Sequence, residues 1–556
     1  METVKGNAVA AQERGQSPIL EQLFARLHEL NEIGAALSNE TNIDKLLEHI
    51  LLAAKGITHA DAGTLYLVDA DNQTLTFEIL RTDSLNIHMG GTGGARIPFA
   101  PIPLYVNGEP NLAMVVTYSA LRGETINIVD AYEAQGFDFS GTKKFDAKTG
   151  YRSRSFLTVP MRNHEHEIIG VLQLINAIDP VSQGVKPFTS DDQQLLESLA
   201  SQAAIALSNR RLIQQLESLF ESFISLINTA IDDKSPYTGG HCARVPALTM
   251  MLAEAAARTQ NGSSLQGFAM TEKEKYELKI AALLHDCGKV TTPVHVVDKA
   301  TKLQTIFDRI HLLDTRFEVF KRDAEITLLR AELAAGADQS AVDQARKEFL
   351  ADIGRLDADR EFLRRCNSGS EKMAAADQDR VRAIAKYTWR NEAGEQADFL
   401  SANEVDNLTI PYGTLTAEER EIINHHIVVT IKMLESLPWP KHLKSVPEFA
   451  GGHHERMDGK GYPRGLTRDQ MSVQARMMGI ADIFEALTAK DRPYKAGKTL
   501  TESLTILGKF KESGHIDPDL FDTFIREKVY LTYAQQFLDP AQIDEVDVSK
   551  IPGYTP

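Results

Sequence analysis

Cysteine is scarce in this chain of 556 residues: Cys242, Cys287 and Cys366 form an odd set with no Cys-x-x-Cys pair. That excludes a disulfide framework, argues against a structural zinc, and fits a reducing compartment. Long apolar runs are also missing, and nothing approaches the roughly 18–20 residues that cross a bilayer. The opening METVKGNAVAAQERGQSP lacks the basic-then-apolar order of a signal peptide. A cytoplasmic chain is therefore expected, sensing what arrives inside the cell. Positive charge is in deficit, with 60 Lys and Arg against 77 Asp and Glu and a formal charge of −17. A nucleic-acid surface needs clustered Lys and Arg, so nucleic acid is not an expected partner. A small phosphate ligand in a locally basic pocket remains compatible with that balance.

What is present is the composition of a globular protein, 43% apolar and 25% charged, long enough for about three or four domain-sized units. Residues 1–15 read as a disordered start. Over 16–44, Leu20, Leu23, Leu27, Leu30 and Leu37 recur at helical spacing behind Pro18. Such a helix either packs on its own domain or meets a second subunit. From 45 to 185 the texture is α+β. A helix, IDKLLEHILLAAKGI, precedes the alternating strand Gly63–Val68, the turn Asp69–Gln73 and the strand Leu75–Leu80. A second hairpin joins Phe156–Met161 to Ile168–Ile175 through Asn163–Glu167. Over 186–230 a connecting helix is capped by Thr189 or Ser190, with Gln193 placed for a capping box. Its Leu212, Leu216, Leu219, Phe223 and Leu226 repeat at +4, +3, +4, +3, a coiled-coil seam that predicts a homodimer. The remainder, 231–530, reads as all-α with an inserted, highly charged helical hairpin at about 305–415, and 531–556 as a tail.

Four clusters carry chemistry. His241 follows Pro236-Tyr237-Thr238-Gly239-Gly240; His285-Asp286-Cys287-Gly288-Lys289 ends an apolar helix; His425-His426 lies inside a helix; and Gly452-His453-His454-Glu455 opens a glycine-rich run that leads to Asp482. Imidazole with carboxylate suits Fe, Mn or Zn rather than Ca or Mg. Two metals about 3.5–4 Å apart can activate a water and clamp phosphoryl oxygens, which explains a need for so many His and Asp. Each cluster alone is weak evidence; together, in helical context, they are strong.

On these residues the sequence resembles the HD-GYP family, the helical phosphodiesterases of bacterial cyclic-dinucleotide signalling. His285-Asp286 matches the name-giving pair. His453-His454-Glu455-Arg456-Met457-Asp458-Gly459-Lys460-Gly461-Tyr462-Pro463 matches the second signature. Asp482-Ile483-Phe484-Glu485-Ala486-Leu487-Thr488 through Asp491-Arg492-Pro493-Tyr494-Lys495 matches the segment that normally comes after that signature. The resemblance implies two divalent ions, Fe or Mn, held by His241, His285, Asp286, His426, His453, His454 and Asp482, with Asp286 bridging. It implies Asp286 and Lys289 as catalytic residues, and Lys289, Arg492 and Lys495 on substrate phosphates. Gly461 and Tyr462 would let the backbone approach a guanine or ribose. His426 is preferred to His425 because Thr430 and Met433 keep the family's frame. Cys242 and Cys287 match no ligand position and read as packing residues.

Tyr237 stands where some members carry a third-metal Glu, so two metals and ring opening of cyclic di-GMP to linear pGpG are expected. The insertion separates the two ligand blocks and would either lid the site or extend a dimer. The N-terminal half resembles a GAF domain, a small-ligand sensor fold, through Lys143-Lys144-Phe145-Asp146 and its hairpin, with Thr142 where an Asn might be; a cyclic nucleotide is one candidate ligand. Cyclic GMP-AMP hydrolysis and a non-catalytic dinucleotide receptor are the alternatives. A nucleotide phosphohydrolase of the wider His-Asp superfamily would not need the Gly459–Pro463 loop.

Overall fold

A computed structural model describes residues 28, 31–234, 240–259, 265–369, 372–391, 393–490 and 497–555. Leu20, Leu23, Leu27 and Leu30, like Tyr237, Arg492 and Lys495, lie outside the described residues. The chain divides near Phe220 into two compact units. No described helix is long and apolar enough to cross a membrane.

In the first unit α1 (Ile43–Thr58) is capped by Asn42, whose side chain accepts from Lys45 N, and turns out through His59 in the left-handed region. Strands β1 (Ala60–Asp69), β2 (Thr74–Thr82), β3 (Ile87–Gly90), β4 (Ile126–Ile128), β5 (Phe156–Arg162) and β6 (Ile168–Ile178) form one antiparallel sheet in the order β3-β2-β1-β6-β5-β4. Central β1 is apolar on both sides for a reason. Leu65 and Leu67 point to a core made with α1 and the start of the connecting helix, while Tyr66 points to Val116 and Ala120 of a helix over Val115–Arg122. Leu37, in the helical stretch 31–39, belongs to the first of these cores.

The connecting helix, α2, runs Ser190–Lys234. Its capping box uses Asp192 rather than Gln193: Asp192 accepts from Thr189 N and Oγ1, and Asp192 N donates to Thr189 Oγ1. Gln193 is one place too late and bonds Glu197 instead.

The second unit is helical: α3 (His241–Arg258), α4 (Glu272–Leu284), α5 (Ile310–Ala335), α6 (Gln339–Asn367), α7 (Ala417–Glu435), α8 (Val446–Gly451) and α9 (Val473–Thr488) are its main elements. The insertion is more than a charged helix pair. The α5–α6 hairpin bears exposed Leu333 and Leu350 along its outer length, but its base shares a core of Phe317, Leu363, Phe399 and Leu408, with a short ribbon of Thr388–Arg390 and Gln396–Asp398. Two buried lysines tie that base to the frame. Lys299 Nζ donates to Asn407 and Glu419, and Lys302 Nζ to the carbonyls of Leu408 and Ile410. Residues past 530 pack as well: Tyr533 is fully buried, and the Gln542 amide donates to Thr488 O and Lys498 O.

Candidate metal centre

α4 starts with a capping box between Thr271 and Glu274 and ends at Leu284, so His285 and Asp286 leave it at a fixed angle into a short 3-10 turn, Cys287–Thr291. That turn presses on α7. A Cβ at Gly288 would lie 2.1 Å from His426 O and 2.6 Å from Thr430 N, and Gly288 N donates to Thr430 Oγ1 at 2.9 Å. Only glycine allows the approach, which brings Asp286 and His426 together from distant parts of the sequence. His425, one position away, is exposed, whereas His426 is buried.

The histidine protons can be placed from their partners. Nδ1 of His285 faces Ala282 O at 2.8 Å, Nδ1 of His453 faces Ala450 O at 2.7 Å, and Nδ1 of His426 faces Ile423 O. A carbonyl only accepts, so each Nδ1 carries a hydrogen and each Nε2, the nitrogen left to ligate a metal, is turned inward. His241 Nδ1 meets the Glu485 carboxylate in the same way. The inward nitrogens crowd one another: His241 and His285 Nε2 are 3.3 Å apart, His426 and His454 Nε2 3.2 Å.

Asp286 stands between these pairs. Oδ2 is 3.2 Å from both His241 and His285 Nε2, and Oδ1 is 3.2 Å from His426 Nε2. Asp482, from α9, lies 3.4 Å from His241 Nε2. Asp286 Oδ1 and His453 Nε2 are buried with no hydrogen-bond partner, as expected where lone pairs face lone pairs. Buried acceptors of this kind are costly unless something positive lies among them. Donor atoms of His241, His285 and Asp482, of His426, His453 and His454, and of His285, Asp286 and His453 each lie within 4.8 Å of one another. This donor set fits a pair of nitrogen- and oxygen-preferring divalent ions.

Titration behaviour agrees. Burial works against ionising Asp286, yet Lys289, His285 and His241 hold its carboxyl well below the usual range. Asp482 is likewise held down against burial by His241, His453 and His454. Burial, with His285 beside it, lowers His453 to about 4, and burial with His453 lowers His454 well below its ordinary value. Both are therefore in the neutral, ligating form at neutral pH. His241 moves the other way: burial opposes its charge, but Glu485, Asp286 and Asp482 draw a proton onto it. Three carboxylates around one imidazole attract whatever cation is available.

Lys289 Nζ sits 2.6 Å from Asp286 Oδ2. Burial disfavours its charge, but Asp286 and Asp482 raise its pKa, so it stays an ammonium. Tyr462 stacks on His454 with centroids 4.8 Å apart at 22°. Gly461 has an internal reason to be glycine: a Cβ there would be 2.4 Å from Arg456 N and 2.5 Å from Glu455 Cα. Buried Glu455 accepts from Arg464 N and Leu466 N, and Arg456 grips Asp458 bidentately, so much of the signature builds its own loop. Cys242 and Cys287 are buried thiols whose pKa values burial pushes up to about 12 and about 11.

Two supporting residues escape the motif reading. Glu485, 1% exposed, takes His241 Nδ1 on one oxygen and Arg244 Nε at 2.7 Å on the other. A signal for it exists in the sequence, since Glu485 lies three positions after Asp482 and so shares its helix face. Thr430, the partner of Gly288, is legible there only as a frame marker.

Known proteins share both halves of this architecture. Residues 42–207 match the GAF domain, and residues 238–355 and 402–520 match HD domains. Over 154 residues the chain is 32% identical to 3'3'-cGAMP-specific phosphodiesterase 3 of Vibrio cholerae, covering 27% of this chain and 30% of that protein. Over 74 residues it is 43% identical to a cyclic di-GMP phosphodiesterase of Pseudomonas aeruginosa, covering 13% and 17%. A 204-residue stretch is 29% identical to the dual 3',5'-cyclic-AMP and -GMP phosphodiesterase 11A of Takifugu rubripes, covering 36% and 20%. The matches thus span less than a third of each relative's length. A GAF domain thus stands ahead of paired HD matches that enclose His285-Asp286 and the full His453–Pro463 signature, a domain layout that supports the resemblance to the HD-GYP family.

Proposed function

We propose that this chain is a GAF-regulated, metal-dependent phosphodiesterase that opens cyclic di-GMP, chiefly to linear pGpG. The observation that carries the reading is Asp286, whose two oxygens face two separate groups of inward imidazoles. When bound, two divalent ions, iron or manganese, would supply an activated nucleophile and Lewis-acid stabilisation of the phosphoryl oxygens. His241, His285 and Asp482 would hold one ion, His426, His453 and His454 the other, and Asp286 both. The chain's own part is electrostatic and steric. Lys289 keeps a fixed positive charge beside Asp286, placed to offset charge that develops on the phosphoryl group. The stacked His454–Tyr462 pair forms a wall that limits where the substrate can sit. Arg492 and Lys495 would clamp phosphate oxygens, and the neutral Tyr237 favours two ions over three and hence a stop at pGpG.

Purified protein reloaded with Fe, Mn, Co or Zn is expected to convert cyclic di-GMP to pGpG, followed by product chromatography with metal analysis. Chelation is expected to abolish turnover and readdition to restore it. No hydrolysis with any of the four metals at full occupancy would overturn the reading. The similarity to a cGAMP-specific phosphodiesterase supports cyclic GMP-AMP as the alternative substrate, so rates on both dinucleotides belong in the same experiment. The GAF domain would take a small ligand and set the activity.

The chain is also proposed to act as a homodimer along α2. Leu212, Leu216, Leu219, Phe223 and Leu226 are 48, 65, 52, 56 and 63% exposed, while Ile224 and Ile231 on another face are buried. Extending the register backwards places Ile205 at a d position and Asn209 at an a position, where a single Asn favours in-register pairing. Sedimentation velocity of wild type should give a dimer and Leu216→Glu with Phe223→Glu a monomer; a monomeric wild type at micromolar concentration refutes the pairing.

A further inference from the structure

The α5–α6 hairpin uses only one side of α5. Leu313 and Phe317 are buried at its base, and half-buried Phe320, Ala324, Leu328 and Ala331 continue that line along the helix. Ion pairs lace one flank, Glu318 to Arg360 at 2.9 Å and Glu332 to Arg346 at 2.8 Å. The opposite side of α5 carries a second apolar row. Leu312, Ile326, Leu329 and Leu333 in it are 42, 44, 51 and 83% exposed. With half-buried Val319 the row is regular: Leu312, Val319, Ile326 and Leu333 recur at intervals of seven, and Leu329 stands three after Ile326.

A helix packed on one neighbour needs one apolar face, and a second, exposed one is a surface for association. The interval specifies what fits, because a strict repeat of seven keeps facing a neighbour only where helices wind round each other. In heptad terms Leu312, Val319, Ile326 and Leu333 are a residues and Leu329 a d residue, and β-branched Val and Ile at a favour two strands. Charge sets the direction. The g positions are Glu318, Glu325 and Glu332, and antiparallel pairing of identical helices would set that acidic row against itself. Parallel pairing sets each g position opposite the e position five residues further along the second helix. Glu325 then meets Arg330 of the second copy, and among the described residues neither has an ion-pair partner in its own chain. Exposed Arg322, at a d position, comes beside Asp323 of the second copy. Glu318 approaches that Asp323 too, but Arg360 and Lys321 already offset its charge.

Resting on the α2 dimer proposed above, we propose that α5 of one copy pairs in parallel with α5 of the second copy. The occupant of the row is a second copy rather than an unrelated helix because the row complements itself. Its free acid and free base lie five positions apart, the offset that identical parallel helices close. From Leu312 to Leu333 the seam extends about 30 Å, short for a coiled coil and interrupted by Arg322, so it does not hold two chains alone. Pairing along α2 supplies the effective concentration at which it closes. Both seams call for the same symmetry, a two-fold axis along paired helices. The insertion is thus a second dimer contact, built on the helical unit, and it does not depend on what the metal centre hydrolyses.

The test is disulfide trapping in the full chain, with copper-phenanthroline in air as oxidant and non-reducing electrophoresis as readout. Cys242 and Cys287 are buried and Cys366 half-buried, and the unsubstituted chain sets the baseline. Ile326→Cys and Leu333→Cys should each link to the same position of a second copy. The yield should exceed that of Ala351→Cys, an exposed site on α6, by about fivefold or more, since only paired a positions come within disulfide reach. Adding Leu329→Glu, which puts a charge into the seam, should return both to the Ala351→Cys level. Leu329→Glu alone should still sediment as the α2 dimer, and oxidised Ile326→Cys should sediment as a dimer as well. Linking no better than at Ala351, linking indifferent to Leu329→Glu, or tetramers after oxidation would overturn the α5 pairing and leave the α2 dimer standing. Failure of Leu333→Cys to link to itself, while mixed Val319→Cys and Leu333→Cys chains link to each other, would mean antiparallel helices and overturn it too. A monomeric wild type would refute the α2 dimer first and this pairing with it.

Discussion

Replacing Asp286 by asparagine is expected to lower cyclic di-GMP turnover about 10³-fold or more, roughly 4 kcal/mol of transition-state stabilisation, and to strip metal from the protein. The side chain keeps its shape and loses what matters. In the wild type both oxygens are acceptors, one toward His241, His285 and Lys289, the other toward His426. An asparagine must present its NH2 to one side. Facing Lys289 it sets donor against ammonium; facing His426 it caps the Nε2 lone pair that should ligate. Neither orientation leaves a negative charge among the imidazoles and the lysine. Far-UV circular dichroism should remain that of the wild type, because the fold around Asp286 is held by the Gly288–Thr430 contact and the α4 cap rather than by the carboxylate. Elemental analysis and turnover on the same preparation decide the matter. Activity within about tenfold of wild type, at wild-type metal content, would remove Asp286 from the bridging role.

The parts of this protein legible in its sequence are those whose pattern is local. The β1–β2 and β5–β6 hairpins can be read because strand alternation and polar turns are short-range signals, and register follows from them, Leu157 opposite Leu174 for example. His285-Asp286 and the His453–Pro463 run can be read because motif letters are contiguous. Spacing to Thr430 separates His426 from His425, and the physical reason for that spacing is a contact 142 residues away, invisible in any window of sequence. Features that depend on which face finds a partner are not legible. In the sequence Gly461 reads as room for a substrate, whereas its hydrogen faces the chain's own Glu455 and Arg456. The insertion reads as uniformly charged, because helical spacing alone cannot distinguish the base of a hairpin that shares a core from a tip that does not. Asp192 displaces Gln193 in the α2 cap because a capping box depends on one position, finer than periodicity resolves.

Glu485 belongs to the same class of hidden features, and its replacement by glutamine has the second large expected effect: a metal affinity lower by about 10–100-fold, the usual cost of losing a carboxylate behind a ligating histidine. The carboxylate does two things at once, accepting from His241 Nδ1 and from Arg244. A glutamine can do only one. If its oxygen stays with Arg244, its NH2 meets His241 Nδ1, the hydrogen must move to Nε2, and the imidazole no longer offers a lone pair to a metal. If it turns over, its NH2 faces a guanidinium in a site 1% exposed, and unpaired donors there are costly. Competition against a chelator of known affinity measures the change, and an affinity within about twofold of wild type would count against the role. A structural effect unrelated to His241 is separated by a double-mutant cycle with His241→Ala: if Glu485 acts through that imidazole, the two losses are strongly non-additive. Additive losses would instead assign Glu485 to holding Arg244 and the α3–α9 packing alone.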